Sequence, residues 1–331
     1  MTAPGAKASG EDDLIARYFR PLATDPGAFG LIDDAALLKQ SGDDLVVTTD
    51  AIVEGVHFLP DDPPDAIARK ALRVNLSDLA AKGAVPAGFV LTLALRAAKA
   101  EWLAPFARAL GEDASAFGCP VLGGDTVSTP GPLMISITAF GRVPPGRMVP
   151  RTGAKPGDRI AVTGTIGDAA LGLRVLKGQI TGDTLDPSSR EFLIQRYRVP
   201  QPRNALAVAI REHASAAMDV SDGLAGDLAK LCAASGISAT INLAAVPLSK
   251  PAQALVDQGH SNFESIVSGG DDYEVVCSIP ENRWDSLVAA AARANVQLTD
   301  IGRVEAGAAA PRFLDAAGEV VAMKRLSYSH F

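Results

Sequence analysis

The sequence has few cysteines and no long apolar segment. Its 331 residues include Cys119, Cys232 and Cys277, which form no Cys-x-x-Cys pair. Neither a disulfide framework nor a zinc site is therefore indicated, and three small buried residues in a reducing cytosol are expected. The longest apolar stretch, residues 89–95, is too short to span a bilayer, and no basic segment precedes an apolar core near residue 1. We expect a cytoplasmic protein with no signal peptide and no membrane partner.

Positive charge is also scarce. The formal net charge is -7 and the isoelectric point is about 5.2. Proteins that bind nucleic acids or anionic membranes carry basic patches instead, so we expect neither partner. The sequence contains no Gly-x-x-x-x-Gly-Lys-Ser/Thr loop, no His-Arg-Asp motif and no Asp-Phe-Gly motif. The P-loop and protein-kinase ways of binding ATP are therefore excluded.

The length and the linker pattern predict two domains. A chain of 331 residues exceeds the usual size of one domain. The stretch 143–150 is rich in proline and glycine and lies near the middle of the chain, so it is the best linker candidate. We place the N-terminal domain at 1–148 and a larger C-terminal domain at 149–331.

Apolar periodicity predicts a mixture of strands and helices without a uniform βαβ repeat, which favours an α+β fold. Strands are predicted at 45–49, 87–95, 121–122, 133–140, 158–162, 216–220, 238–243 and 273–279. Helices are predicted at 63–82, 101–117, 168–177, 189–198, 203–212, 224–234 and 281–294, and Asp168 is expected to cap the third of them.

Aspartates recur where predicted strands end or glycine turns begin. They are Asp33, Asp34, Asp50, Asp125, Asp219 and Asp222. A single aspartate after a strand is most often a turn former or a helix cap. Here they are accompanied by small residues, among them Thr48, Thr49, Gly124 and Ser221, at positions where folds present side chains to ligands.

Asp78 differs, because it lies inside a predicted helix. It shares a face with Asn75 and Ala71, so this face is expected to point inward. A buried carboxylate without a partner is costly. Two explanations stay open: a basic partner such as Arg69 or Lys70, or a bound metal ion.

Converging carboxylates indicate magnesium. Without a cation they would repel one another, and hard oxygen ligands suit Mg²⁺, which also binds substrate phosphates. An acidic protein can thus hold a polyphosphate through several ions. Arg151, just beyond the linker, is a candidate for a direct phosphate contact.

Several longer motifs, in order along the chain, resemble the thiamine-monophosphate kinase family. They are DDAAL at 33–37, TTDAIVEGVHF at 48–58, VNLSDLA at 74–80, GGDT at 123–126, MDVSDGL at 218–224, SGGDDYE at 268–274 and YSHF at 328–331. The resemblance implies the two-domain fold of aminoimidazole ribonucleotide synthetase, with N-terminal sheets that pair in a homodimer and ATP in a cleft at the domain junction.

The resemblance also implies roles for individual residues. Magnesium positions are Asp34, Thr48, Thr49, Asp50, Asp78, Asp125, Asp219 and Asp222. ATP positions are Gly124, Asp125, Arg151 and Ser221, and thiamine positions are His57, Asp271 and Tyr328. Asp50, Asp219, Asp222 and Arg151 are expected to carry the reaction. A lone His between Val56 and Phe58 is, by itself, more often structural.

Two residues depart from the family pattern. Ile32 stands where the family usually has Gly, and Asp271 stands where it has the longer Glu. The implied activity is Mg²⁺-dependent, direct in-line transfer of the γ-phosphate of ATP to thiamine monophosphate, with no phosphorylated enzyme.

Two alternatives remain at this point. One is another ATP-dependent member of the superfamily, such as selenophosphate synthetase or the hydrogenase-maturation dehydratase. The first uses a reactive Cys or selenocysteine in a Gly-rich N-terminal loop, and the second carries a C-terminal Cys. This chain has no Cys before Cys119 and ends in His330-Phe331. The other alternative is a non-catalytic acidic metal-binding protein.

Overall fold

The computed structural model describes residues 14–31, 38, 42–181, 184–323 and 326–327. Two compact units make up the chain, Met1–Asn75 with Pro86–Arg142 and Leu76–Val85 with Val143–Phe331. The domains expected from the linker, 1–148 and 149–331, and the roles assigned to them stay a prediction.

The first unit is built around a four-stranded sheet. Its described elements are β1 (Asp44–Val53), α1 (Pro64–Ala81) as far as Asn75, β2 (Val85–Leu95), α2 (Ala100–Ala116), β3 (Val121–Ser128) and β4 (Met134–Val143), after short helical turns at Ile15–Phe19, Arg20–Leu22 and Pro26–Leu31. The strand order is β1-β4-β2-β3, and β2 pairs with β3 in parallel.

Residue alternation explains which sheet face is buried. On β4, Ile135, Ile137 and Ala139 are buried and alternate with half-exposed residues. On α2, Leu103, Phe106 and Leu110 follow the helical spacing and are also buried. The edge strand β1 instead exposes two large apolar side chains, Leu45 at 47% and Val47 at 55%.

The second unit contains a six-stranded sheet. Its described strands are β5 (Arg159–Thr163), β6 (Ala216–Val220), β7 (Ser238–Asn242), β8 (Glu274–Ile279), β9 (Leu298–Glu305) and β10 (Arg312–Leu314). Its described helices are α3 (Asp168–Leu176), α4 (Pro187–Arg198), α5 (Ala207–His213), α6 (Leu224–Ser235), α7 (Lys250–Asp257), α8 (Phe263–Val267) and α9 (Trp284–Arg293), with short turns at Asn204–Leu206, Leu243–Ala245 and Glu281–Arg283.

Helices cover both faces of this sheet, whose order is β10-β7-β9-β5-β8-β6. Successive residues of one strand enter different cores, because side chains alternate across a strand. Met218 on β6 packs with Leu228 of α6, whereas its neighbour Ala217 packs with Ile210 of α5 and Leu287 of α9. β10 pairs with β7 in parallel, and the pairs β5–β8, β5–β9, β6–β8 and β7–β9 are antiparallel. The predicted α+β class is confirmed.

Some local predictions were wrong. β1 continues through Asp50 to Val53, and β3 includes Gly124 and Asp125, so these residues lie within strands and not after them. Asp168 does not cap α3, because Gly167 occupies the N-cap position with φ of 88°. The helices α7 and α8 were not predicted. No helix in the described ranges is both long enough and apolar enough for a membrane span.

Candidate active site

The connection between β6 and α6 carries three of the predicted site residues. Asp219 is buried in β6, and Ser221 and Asp222 follow the strand half-exposed. A fourth residue, Asp227, is fully buried on the first turn of α6 and accepts hydrogen bonds from the main-chain N–H groups of Ser221 and Asp222 at 3.0 and 2.9 Å. Its carboxylate therefore fixes the direction in which this connection leaves the strand.

Lys230 links two of these carboxylates. Its ammonium donates to Asp222 Oδ2 at 2.5 Å and to Asp227 Oδ1 at 2.8 Å. Burial opposes the charged form of Lys230, but its bonds to Asp222 and Asp227 outweigh that effect and raise its pKa. The sequence analysis did not single out Lys230, although its spacing of three from Asp227 on a helix is the signal for such a pair.

A turn from Gly270 to Tyr273 lies against this connection. The main-chain N–H of Asp271 donates to Ser221 O at 2.8 Å, and that of Tyr273 donates to Val220 O at 2.8 Å. Gly270 has no room for a side chain, because a Cβ there would lie 2.6 Å from the carbonyl oxygen of Ser221. The predicted thiamine residue Asp271 and the predicted ATP residue Ser221 are thereby brought together.

The same turn has an unusual backbone. Asp271 and Tyr273 both adopt positive φ, 71° and 51°. Side chains other than Gly rarely adopt this region, and each such residue costs about 1–3 kcal/mol unless its surroundings hold it there. Strained backbone of this kind is concentrated at ligand-binding sites.

Two buried carboxylates hold the turn, one from a residue within it and one from the residue that directly follows it. Asp272 is 1% exposed and accepts from the N–H of Gly167 at 2.8 Å, at the N-terminus of α3. Burial raises the pKa of Asp272 well above its ordinary value of 3.8, although the Gly167 N–H and Arg196 act in the opposite direction. Glu274 is fully buried and accepts from Arg196 Nη2 at 2.8 Å and from Arg203 Nε at 2.6 Å.

Asp78 lies in the second unit near a basic residue that the sequence analysis missed. Arg69 pairs with Glu112 and Asp113, and Lys70 donates to the carbonyl of His57 at 2.8 Å. The carboxylate of Asp78 favours the charged form of Lys82, which lies four residues further along the chain, just after the end of α1. That spacing of four residues was the available signal.

Lys82 brings three predicted residues together. Its ammonium donates to Ala217 O at 2.6 Å. Burial, followed by the positive charge of Arg151, lowers the pKa of Lys82 to about 8, and the carboxylates of Asp219 and Asp78 oppose this shift. Asp78, Arg151 and Asp219 therefore lie within electrostatic range of one ammonium group.

In the first unit, β1 carries Thr48, Thr49 and Asp50. The Thr49 hydroxyl lies 3.0 Å from that of Thr138 on β4. The main-chain N–H of Asp50 donates to Asn75 Oδ1 at 3.1 Å, and Asn75 is fully buried. The amide of Asn75 thus positions Asp50, which is exposed.

Gly124 and Asp125 lie side by side on β3, and both are exposed. Gly124 is opposite Leu91 of β2, and a Cβ at Gly124 would lie 2.0 Å from the Leu91 carbonyl oxygen. Only glycine fits there. The packing of the sheet therefore requires Gly124, independently of any role in binding a ligand.

His57 follows β1, and the main chain at the end of β1 orients its ring. Its Nδ1 accepts from the N–H of Val53 at 3.0 Å, so the neutral ring carries its proton on Nε2. The Lys70 ammonium, buried at 1% exposure, holds the His57 carbonyl. These two contacts therefore fix the position and the orientation of the ring.

Two predicted residues, Asp34 and Tyr328, lie outside the described residues, as do Ile32 and the segment 328–331. Within the described ranges, no group of three or more His, Cys, Asp or Glu side chains lies close enough to hold a metal ion. Mg²⁺ itself uses only one or two protein carboxylates and takes its other ligands from phosphates and water. The oxygen donors present in each unit fit that chemistry.

The cysteines do not belong to the candidate site. Cys119, Cys232 and Cys277 are all buried. Burial raises the pKa of the Cys119 and Cys277 thiols to about 12, and that of Cys232 to about 11. They are therefore unreactive thiols that fill the core.

Comparison with known proteins gives the family. Residues 32–143 match the N-terminal domain of AIR synthase related proteins, and residues 155–311 match the C-terminal domain. Thiamine-monophosphate kinase of Caulobacter vibrioides is 45% identical over an alignment 335 residues long. The alignment covers 99% of this chain and 93% of that protein. The chain belongs to the thiamine-monophosphate kinase family. The predicted family and the predicted enzyme class, a phosphotransferase, are confirmed.

Solved structures of family members have the same fold. The thiamine-monophosphate kinase of Stenotrophomonas maltophilia is 36% identical, with a TM-score of 0.82 over 94% of this chain and 96% of that one. A structure described as AaThiL complexed with AMPPCP and TMP is 31% identical, with a TM-score of 0.77 over 92% of this chain and 97% of that one. The predicted two-domain fold of the superfamily is thereby confirmed.

Proposed function

We propose that this enzyme transfers the γ-phosphate of ATP to thiamine monophosphate and forms thiamine diphosphate. The observation that carries the proposal is the similarity over nearly the whole length to thiamine-monophosphate kinases, one of which is described in complex with an ATP analogue and TMP. The motifs at 48–58, 218–224 and 268–274 support it, because hydrogen bonds fix the backbone or a side chain of each motif at β1, β6 and β8.

Each unit offers oxygen atoms as magnesium ligands in this proposal. The first unit offers Thr48, Thr49, Asp50 and Asp125, and the second offers Asp78, Asp219 and Asp222, with Asp34 as a further candidate. When bound, the ions supply charge neutralisation for the phosphate oxygens. The absence of sulfur and imidazole from this set supports a hard cation.

ATP is bound through Gly124, Asp125, Arg151 and Ser221. The guanidinium of Arg151 suits a phosphate oxygen, because it is planar and always charged. Lys82 adds a second positive charge near Arg151, Asp78 and Asp219. Asp50, Asp219, Asp222 and Arg151 carry the reaction by orienting the phosphates and offsetting their charge.

Thiamine is contacted by His57, Asp271 and Tyr328. His57 Nε2 is a donor for an acceptor nitrogen of the pyrimidine, since its Nδ1 is already occupied by the Val53 N–H. Asp271 supplies a negative charge that suits the cationic thiazolium ring. Asp271 is one methylene shorter than Glu, so its contact with thiamine requires either a bridging water molecule or a small shift.

The chemistry needs no general base. The second pKa of a phosphate monoester is about 6, so the acceptor is already a dianionic nucleophile at neutral pH. The obstacle is repulsion between two anions, and positioning with charge neutralisation removes it. The transfer is direct and in line, and no side chain is phosphorylated.

The test is an assay of the purified full-length protein with ATP, Mg²⁺ and thiamine monophosphate, in which the thiamine phosphates are separated by chromatography. Thiamine diphosphate formed only in the presence of both ATP and Mg²⁺ supports the proposal. If free thiamine is phosphorylated equally well, the acceptor is wrong. If no phosphorylated product forms, the proposed activity is wrong.

We also propose a cytoplasmic homodimer that forms through the N-terminal sheets. Leu45 and Val47 support it, because they lie on one exposed face of the edge strand β1. Exposed apolar edge strands are rare in monomers, since they invite pairing with another chain.

A further inference from the structure

The turn Gly270–Tyr273 is held by a buried network that has no role in the proposed chemistry. Arg196, from the last turn of α4, is 8% exposed and reaches the turn from beneath. Its Nη2 donates both to the main-chain carbonyl of Asp272 at 3.3 Å and to Glu274 Oε1 at 2.8 Å. One guanidinium thus joins the strained turn to the first residue of β8.

Glu274 anchors that guanidinium. It is fully buried, and it also accepts from Arg203 Nε at 2.6 Å and from the Thr163 hydroxyl at 2.7 Å. With three donors converging on it, the carboxylate has one orientation. Arg196 is therefore fixed at one end and can act as a rigid strut for the turn at the other.

The start of α3 also contacts both the turn and Arg196. Asp272 accepts from the Gly167 N–H, while Arg196 Nε lies 3.9 Å from the carboxylate of Asp168, the first residue of α3. The Arg196 Nε atom is buried, and no hydrogen-bond partner is found for it among the described residues. The Arg196 side chain thus makes its two Nη2 hydrogen bonds in an orientation that leaves Nε without one among the described residues.

The turn needs such support because Asp271 and Tyr273, on either side of Asp272, both have positive φ. Aspartate tolerates this conformation better than most residues, but the bulky Tyr273 does not favour it. The N–H groups of the two strained residues bond to Ser221 and Val220, so any relaxation of the turn also shifts the segment that leads to Asp222.

We propose that Arg196 and Glu274 are positioning residues that hold the Gly270–Tyr273 turn in its strained conformation, so that the Asp271 carboxylate meets the cationic thiamine moiety. This inference rests on the proposed function, because its ligand is thiamine monophosphate. It concerns residues buried beneath the site, which touch neither substrate. Its distinguishing consequence is a loss of affinity for thiamine monophosphate without an equal loss for ATP.

The first experiment compares Arg196→Met, Arg196→Lys and Glu274→Gln with the wild type and with Gln195→Met. Gln195 is the matched control, since it neighbours Arg196 on α4 but is exposed and bonds to Glu191. We expect Arg196→Met to raise KM for thiamine monophosphate about tenfold or more, as displaced substrate contacts do. KM for ATP should stay near the wild-type value, and Arg196→Lys should restore part of the loss.

Hydrogen exchange of the peptide 268–275 provides a readout that does not depend on activity. Without ligands, exchange at the Asp271 and Tyr273 amides should accelerate in Arg196→Met and stay unchanged in Gln195→Met. Unchanged exchange, or faster exchange with an unchanged KM for thiamine monophosphate, overturns the proposal. If Arg196→Met does not fold, Arg196→Lys and Glu274→Gln carry the same comparison.

Asp271→Gly separates the carboxylate from the backbone. Glycine adopts a φ of 71° without strain, so the turn should keep its exchange rate while KM for thiamine monophosphate rises. An unchanged KM in this variant overturns the role of Asp271. If the wild type fails to phosphorylate thiamine monophosphate at all, the proposed function has failed, and hydrogen exchange still decides whether Arg196 holds the turn.

Discussion

Lys230 and Asp227, three residues apart on α6, are bonded at 2.8 Å between Nζ and Oδ1. The same ammonium contacts Asp222, a proposed magnesium ligand. Lys230 therefore compensates the buried charge of Asp227, and in the proposed site it would compete with Mg²⁺ for the Asp222 carboxylate.

We expect Lys230→Met to lower the Mg²⁺ concentration that gives half-maximal rate by roughly several-fold, because a salt bridge to a ligand is lost. The variant should also lose about 1–3 kcal/mol of stability, since one charged partner of Asp227 is removed. Rates measured over a Mg²⁺ titration, with exposed Lys177→Met as control, test the first effect. A Mg²⁺ requirement that stays the same or rises contradicts it.

The buried Asp272 gives a prediction about pH. Its folded pKa is raised above 3.8, so the folded state binds this proton more tightly than the unfolded chain does. Its contribution to stability is thus present below pH 4 and is lost as the pH rises through the folded pKa. The groups that act on it are the Gly167 N–H, Asp168, Arg196 and Glu274.

Asp272→Asn removes this titration while it keeps an acceptor for Gly167. At pH 7 we expect the variant to be more stable than the wild type, because the neutral amide avoids the cost that burial imposes on the Asp272 carboxylate above its ordinary pKa. The difference should shrink toward pH 4, which urea unfolding at several pH values measures. A difference that does not change with pH would show that Asp272 is not the titrating group.

Val47, exposed at 55% on β1, tests the proposed dimer. We expect Val47→Glu to give a monomer, because like charges would face each other across a symmetric interface. Light scattering measures the mass, and Val208→Glu, at an exposed position in the second unit, is the control. A wild-type protein that is already monomeric, or a dimer that survives in Val47→Glu, contradicts the proposal.

The local elements were largely readable from the sequence. Met218 and Ala217 alternate between two cores as a β-strand pattern requires, and the predicted strand 216–220 is the observed β6. The glycine-flanked aspartates and the ordered motifs led to the family, and their residues lie at the β6–α6 connection and on β1 and β3.

The contacts between distant segments were not readable. The carboxylate that serves the N-terminus of α3 is Asp272, 105 residues from Gly167, whereas the adjacent Asp168 turns to Ser249 and Thr165. The partnership of Arg196 and Glu274 spans 78 residues and arises from the strand order. Sequence spacing indicates pairs on one helix, such as Asp227 with Lys230, and it carries no information about pairs that the sheet brings together.

Direct transfer between ATP and thiamine monophosphate is tested most directly by rapid-quench analysis with ATP labelled on the γ-phosphate. The wild type should place the label in thiamine diphosphate, and none should become bound to the protein at any time. Asp50→Asn and Asp222→Asn should fold normally and slow the transfer by about 100-fold or more, because each removes a charge that offsets the phosphates. Label on the protein before it appears in product would contradict direct transfer, and wild-type rates in both variants would contradict the carboxylate site.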